Sequence, residues 1–128
     1  AVGYHSFNLY AFALLHEAYP DHPIWTTEKV DRTLSYATTE SYINRLDGNP
    51  YGYPYNCSGI EAAYALRAFD RITEADLSRW IERQFARTYD RDANAMSRNN
   101  PDPTTLTARL YEATRLPNVT VDLSEAHD

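Results

Sequence analysis

Lysine is nearly absent from this chain: Lys29 is its single example in 128 residues, and with acids outnumbering bases the formal net charge is −6. Holding a nucleic-acid backbone takes clustered cations, so nucleic acid is excluded as the expected partner. Cysteine occurs once, which removes an internal disulfide framework and a cysteine-rich zinc site. Cys57 itself reads as a small buried residue, since no histidine lies near it in sequence to activate a thiolate. With only four glycines there is no glycine-rich cradle for a phosphate. No apolar run approaches the roughly 20 residues that cross a bilayer, and Ala1-Val2-Gly3-Tyr4-His5 lacks a basic stretch ahead of an apolar one. The expectation is a soluble domain held by packing alone, outside the membrane, with no compartment assigned. The missing initiator Met suits a processed, truncated or internal piece of a longer polypeptide.

What remains is the profile of one globular domain, 43% hydrophobic and 23% charged. Helical periodicity organises it. Phe7, Leu9, Tyr10, Ala11, Phe12, Ala13, Leu14 and Leu15 leave almost no polar face, the pattern of a helix buried all round. A one-sided pattern through Val30, Leu34, Ala37, Tyr42 and Leu46 follows, opened by a cap at Thr26-Thr27. Ile60 to Phe69 is again apolar on several faces. Thr73 and Asp76 then open an amphipathic stretch carrying Leu77, Trp80, Ile81 and Phe85, and Asp102-Pro103 opens a last one. These patterns predict five helices near 5–19, 27–46, 59–70, 74–90 and 103–116, with Phe12, Leu66, Trp80 and Ile81 buried. Residues 1–117 form the helical domain, and 118–128 a loose polar tail. The predicted class is all-α, with helical hairpins in two layers, because one-sided helices alternate with helices apolar all round.

Between the second and third patterns lies Asp47-Gly48-Asn49-Pro50-Tyr51-Gly52-Tyr53-Pro54-Tyr55-Asn56-Cys57-Ser58-Gly59. A connection between helices is usually about two to eight residues long, and this one carries three of the chain's eleven tyrosines. Gly and Pro fix its backbone while phenol rings offer flat apolar faces with a hydroxyl at the tip, which suits a sugar ring or another amphipathic ligand. A packed surface loop that seals helix ends would read the same way.

Two segments resemble the heads of inner helices in the α/α-toroid, six-hairpin carbohydrate-active enzymes: His5-Ser6-Phe7-Asn8-Leu9-Tyr10, and Tyr51-Gly52-Tyr53-Pro54-Tyr55-Asn56 with Gly59-Ile60-Glu61. The motifs are generic and the resemblance covers only part of such a ring, a partial toroid. It implies a segment of an epimerase, glycoside hydrolase or polysaccharide lyase that takes a carbohydrate ligand in a cleft and needs no cofactor. It also implies self-association or docking onto the remainder of a parent chain, since five helices cannot enclose two helices that are apolar all round.

The candidate catalytic residues are His5, Tyr53 and Glu61. His5 shares a helical stripe with Asn8, Phe12, His16 and Tyr19, and imidazole can move a proton near neutrality. Glu61 opens an apolar helix, where the helix dipole alone would also favour a carboxylate. Lyase or epimerase chemistry can run on one base and one acid, roles open to Tyr with His. A hydrolase would need a second carboxylate, and no spacing argument selects one, Asp47 included. Asn8, Tyr51, Tyr55 and Asn56 are the candidate substrate contacts. No metal site is expected, because His16 and His22 are six residues apart with Pro20 between them. The alternative reading is a non-catalytic helical interaction domain that uses the aromatic loop and exposed apolar surface.

Overall fold

The computed structural model describes residues 2–124. It holds six α-helices: α1 (His5–Ala18), α2 (Glu28–Ala37), α3 (Glu40–Asp47), α4 (Ser58–Ala68), α5 (Glu74–Thr88) and α6 (Pro103–Ala108). Segments of 3₁₀-helix cover Val2–Tyr4, Pro23–Thr26 and Arg109–Arg115. Among the described residues the only bridge of β type is the isolated pair Asp90–Ala95, so the fold is all-α.

The centre of the molecule is α4, in which every residue from Ser58 to Leu66 is buried. It packs against α1 and α5, and the 3₁₀ segment Arg109–Arg115 also lies on it. Three alanines, Ala62, Ala63 and Ala65, keep its girth small enough for neighbours on several sides. Gly59 brings α5 closest: a Cβ there would run into the Trp80 carbonyl oxygen and lie 2.8 Å from Gln84 Cβ. Gln84 uses that proximity, accepting the Gly59 amide at 3.0 Å and donating to the Tyr53 carbonyl at 3.1 Å. One α5 side chain thus satisfies a free donor at the start of α4 and fixes the loop that leads into it.

Three expectations change. The single helix expected over 27–46 is broken at Thr38-Thr39, because Thr39 Oγ1 accepts the Tyr42 amide and caps a new helix, while both hydroxyls donate back to carbonyls of α2. The last helix tightens after Ala108 into 3₁₀ geometry. Finally, α1 is not buried all round. Its Ser6, Leu9, Tyr10 and Ala13 face the core, but Phe12, expected inside, is 43% exposed, with Phe7, Leu15 and Tyr19 exposed too. Leu66, Trp80 and Ile81 are buried as expected.

A second, smaller core lies beneath the 90–102 connection, where Met96 joins Cys57, Ile60 and Leu106. Asp90 holds that connection by accepting the Asp92 and Ala93 amides. The described part of the tail does not hang free: Val119 and Val121 pack on the main core, Asp122 N–H donates to Glu82, and Arg91 donates to the Leu123 carbonyl.

Two substitutions test this packing. Gly59→Ala should destabilise by about 1–3 kcal/mol through overpacking against α5, whereas Gly48→Ala, whose Cβ would meet nothing within 4 Å, should stay within about 0.5 kcal/mol of the parent. Ile81→Ala should cost about 2–5 kcal/mol through lost burial and a cavity. Urea denaturation followed by circular dichroism measures all three, and equal effects at the two glycines would contradict the close α4–α5 approach.

Candidate functional site

The tyrosine loop lies against the head of α1. Gly3 is buried because the loop backbone crosses it, and a Cβ on Gly3 would sit 2.6 Å from the Tyr51 carbonyl. Asn56 staples the two together, its Nδ2 donating to the Gly3 carbonyl at 3.2 Å and to the Tyr51 carbonyl at 2.6 Å. Local turns shape the rest: Asn49 Oδ1 accepts the Tyr51 amide, and the Gly52 carbonyl accepts the amides of Tyr55 and Asn56.

This arrangement collects three exposed rings. Tyr4 stacks on Tyr51 with centroids 6.0 Å apart and planes 26° apart, while Tyr55 presents an edge to each of them at 6.4 and 5.8 Å. Tyr4, Tyr51 and Tyr55 are 38%, 54% and 47% exposed. Rings held by one another yet open to solvent form a platform able to stack on a flat apolar ligand face.

Beneath and beside the platform lies a charged cluster. The Glu61 carboxylate, at 0% exposure, accepts from Ser6 Oγ at 3.3 Å and from Arg109 Nη2. Arg109 spends its other nitrogens on Glu112, at 3.1 Å from Nε, and on Asn56 Oδ1, at 3.2 Å from Nη1. Its guanidinium carbon also lies 5.7 Å from the centroid of the exposed Phe7 ring. The 3₁₀ winding makes this possible. With three residues per turn, side chains at i and i+3 eclipse, so Arg109, Glu112 and Arg115 share one face, and Arg115 Nε donates to Tyr10 Oη of α1 at 3.0 Å.

Burial pushes the Glu61 carboxyl up to about 7, against the pull of Arg109 and the Ser6 hydroxyl and with a further push from Glu112. Glu112 is raised as well, burial again being the main cause. Two carboxylates on one guanidinium therefore leave a group able to gain or lose a proton near neutral pH.

The residues singled out from sequence are dispersed over these features. Asn56 links platform and cluster, Tyr51 and Tyr55 belong to the platform, and Glu61 is the centre of the cluster. Tyr53 points inward: it is fully buried, the Arg87 guanidinium lies 4.7 Å over its ring and is paired with Asp47, and burial raises its phenol. His5 turns toward α2 and α3, with Nε2 3.1 Å from the Thr33 carbonyl and the Tyr36 and Tyr42 rings edge-on to it; burial lowers its pKa. Asn8 is exposed. No hydrogen bond or ring contact joins His5, Tyr53 and Glu61 to one another among the described residues. Cys57 is buried, and burial raises its thiol. Among the described residues, no three His, Cys, Asp or Glu side chains are grouped to hold a metal.

Ser6, Arg109 and Glu112 were not singled out from sequence. The one available signal was the Arg-x-x-Glu-x-x-Arg spacing of Arg109, Glu112 and Arg115, which marks a shared face only if the segment is 3₁₀ rather than α.

The raised carboxyl sets a pH dependence. A folded-state value above the unfolded one means that the native state holds more protons between the two, so stability is full below about 4.5 and falls as pH rises through about 7. The loss should amount to no more than ~3 kcal/mol. Glu61→Gln, which keeps the shape and removes the titration, should flatten the change in urea midpoint between pH 5 and pH 8. An unchanged slope in the variant would mean that Glu61 is not the titrating group.

No protein-family model matches the chain, and no solved structure matches it. It is similar to archaeal glycosylation protein Q of Haloferax volcanii, with 36% identity over 116 residues. That match covers 91% of this chain but 31% of the relative, so the chain spans about a third of that protein's length. The resemblance to toroid carbohydrate enzymes is corrected by these findings: the generic residues at the heads of α1 and α4 do not select that family, and the similarity found is to a glycosylation protein.

Proposed function

We propose that this chain handles sugar within a glycosylation protein, holding a saccharide on the Tyr4, Tyr51 and Tyr55 platform beside the Glu61–Arg109–Glu112 cluster. The observation that carries the reading is the platform itself: three mutually packed rings left open to solvent and backed by buried polar groups. Similarity to a glycosylation protein over most of the chain supports the same ligand class. All three Arg109 nitrogens already serve protein acceptors, which leaves no ready clamp for an acidic sugar and favours a neutral one. In this reading Tyr51 and Tyr55 stack on the sugar, and Asn56 sets the platform against the cluster. Glu61 is the group that can move a proton. His5 and Tyr53 act from behind, fixing the head of α1 and the loop, and Asn8 lies on the open side of α1.

Saturation-transfer NMR of the full chain with neutral and uronic-acid oligosaccharides tests this. Neutral sugars should bind, and Tyr51→Ala or Tyr55→Ala should weaken binding about 2- to 10-fold, while Tyr51→Phe, which keeps the ring, should leave it nearly unchanged. Binding that survives the Tyr51→Ala/Tyr55→Ala double variant, or no sugar binding at all, would overturn the reading.

A further inference from the structure

Beside the buried stripe of α1, and sharing Leu9 with it, lies a groove of about 390 Å³ that α1 forms with α2, within the range of small-molecule sites. Its walls are Phe12 and Leu15 from α1 and Val30 and Leu34 from α2, with Trp25 and Phe69 closing one end. Trp25 Nε1 donates to the Tyr19 carbonyl at 2.7 Å, so the polar edge of the indole is satisfied and its ring is free to serve as an apolar wall. His16 stacks on Phe69 at 4.4 Å and braces that end from behind.

The residues that line this groove differ in charge from the chain as a whole. Eighteen acids outnumber twelve bases overall, yet no Asp or Glu lines the groove. The nearby acids of α2 are engaged elsewhere, Glu28 with Arg32 and Asp31 with Arg71. Lys29 does line it, is exposed, and makes no ion pair among the described residues. His22 lines it too. Because His22 Nδ1 accepts the Ile24 amide, its remaining nitrogen carries the proton and can donate outward.

We propose that this groove binds a single-chain amphiphile, with an alkyl or prenyl tail along α1 and α2 and an anionic head, carboxylate or phosphate, at Lys29 and His22. An apolar trough holds the tail through burial, and the uncompensated ammonium at its mouth selects the sign of the head. The site is separate from the tyrosine platform and does not depend on the sugar reading.

The test is a fluorescence titration of the full chain with dodecanoate, dodecyl phosphate, dodecanol and inorganic phosphate, all below micelle-forming concentrations. Trp25→Phe assigns the signal to the groove rather than to Trp80. Dodecanoate and dodecyl phosphate should both saturate, with dodecanol weaker and inorganic phosphate alone silent. Lys29→Glu should weaken both anionic ligands by about fivefold, the scale of one exposed ion contact, and leave dodecanol unchanged. Leu15→Glu, at an exposed position that the fold does not need, should abolish binding of all three alkyl ligands. A head preference confined to phosphate or to carboxylate would support the site and identify its source. The proposal is overturned if dodecanol binds as well as the anions, if inorganic phosphate alone accounts for the signal, or if no alkyl ligand binds. It is equally overturned if sedimentation shows a dimer that Leu15→Glu dissociates, since the groove would then be an interface between two copies.

Discussion

The structure depends on one buried carboxylate. Glu61 sits in the most enclosed helix of the molecule, where an unpaired charge would be costly enough either to unfold the segment or to take up a proton. Arg109 supplies the partner, and in doing so ties four parts of the chain together: α4 through Glu61, the loop through Asn56, the 3₁₀ segment through Glu112, and α1 through the Phe7 ring. Arg115 repeats the tie two 3₁₀ turns later at Tyr10. The C-terminal segment is therefore docked by directed polar contacts as well as by apolar ones, with Leu106, Leu110, Leu116, Val119 and Val121 in or against the two cores. Since burial already raises Glu61, this docking is also the part of the fold most responsive to pH.

The loop divides its tyrosines between two tasks. Tyr53 is drawn inward because α5 reaches it from below, with Gln84 on its carbonyl and Arg87 over its ring. Tyr51 and Tyr55, on either side, are left facing out, where Tyr4 meets them. The inward ring fixes the loop, and the outward rings are rigid because of it. A rigid aromatic surface loses little conformational freedom when a ligand stacks on it, which is the physical basis for reading the platform as a binding surface.

A different balance governs α1. One face is covered by α4, while the other is equally rich in aromatic and aliphatic residues and is met only in part, by α2 and the turn around Trp25. Phe12 and Leu15, with Tyr19 just past its end, remain in solvent, more apolar surface around one element than scattered exposure accounts for.

Periodicity alone determined the helical class and the positions of most helices, because a 3.6-residue pattern reports which residues need cover wherever the helix ends up. It also identified the tyrosine loop, whose composition is unusual locally, and the buried cores of α4 and α5 at Leu66, Trp80 and Ile81. It failed where the answer depended on a partner distant in sequence. It also missed the break at Thr39, a local cap that an apolar pattern running on through Ala37, Tyr42 and Leu46 does not report. The exposure of Phe12 turned on how many neighbours surround α1, since an all-round apolar sequence states a need for cover without showing that the need is met. Tyr51, Tyr53 and Tyr55 have the same side chain at regular spacing, and only α5 decides which of them is inside. Arg109 and Glu112 lie 48 and 51 residues beyond Glu61 in a segment that reads as ordinary helix. Tertiary structure alone put their charges together, because only the packing of a 3₁₀ turn onto α4 removes the water that would otherwise have kept those carboxylates at their ordinary pKa.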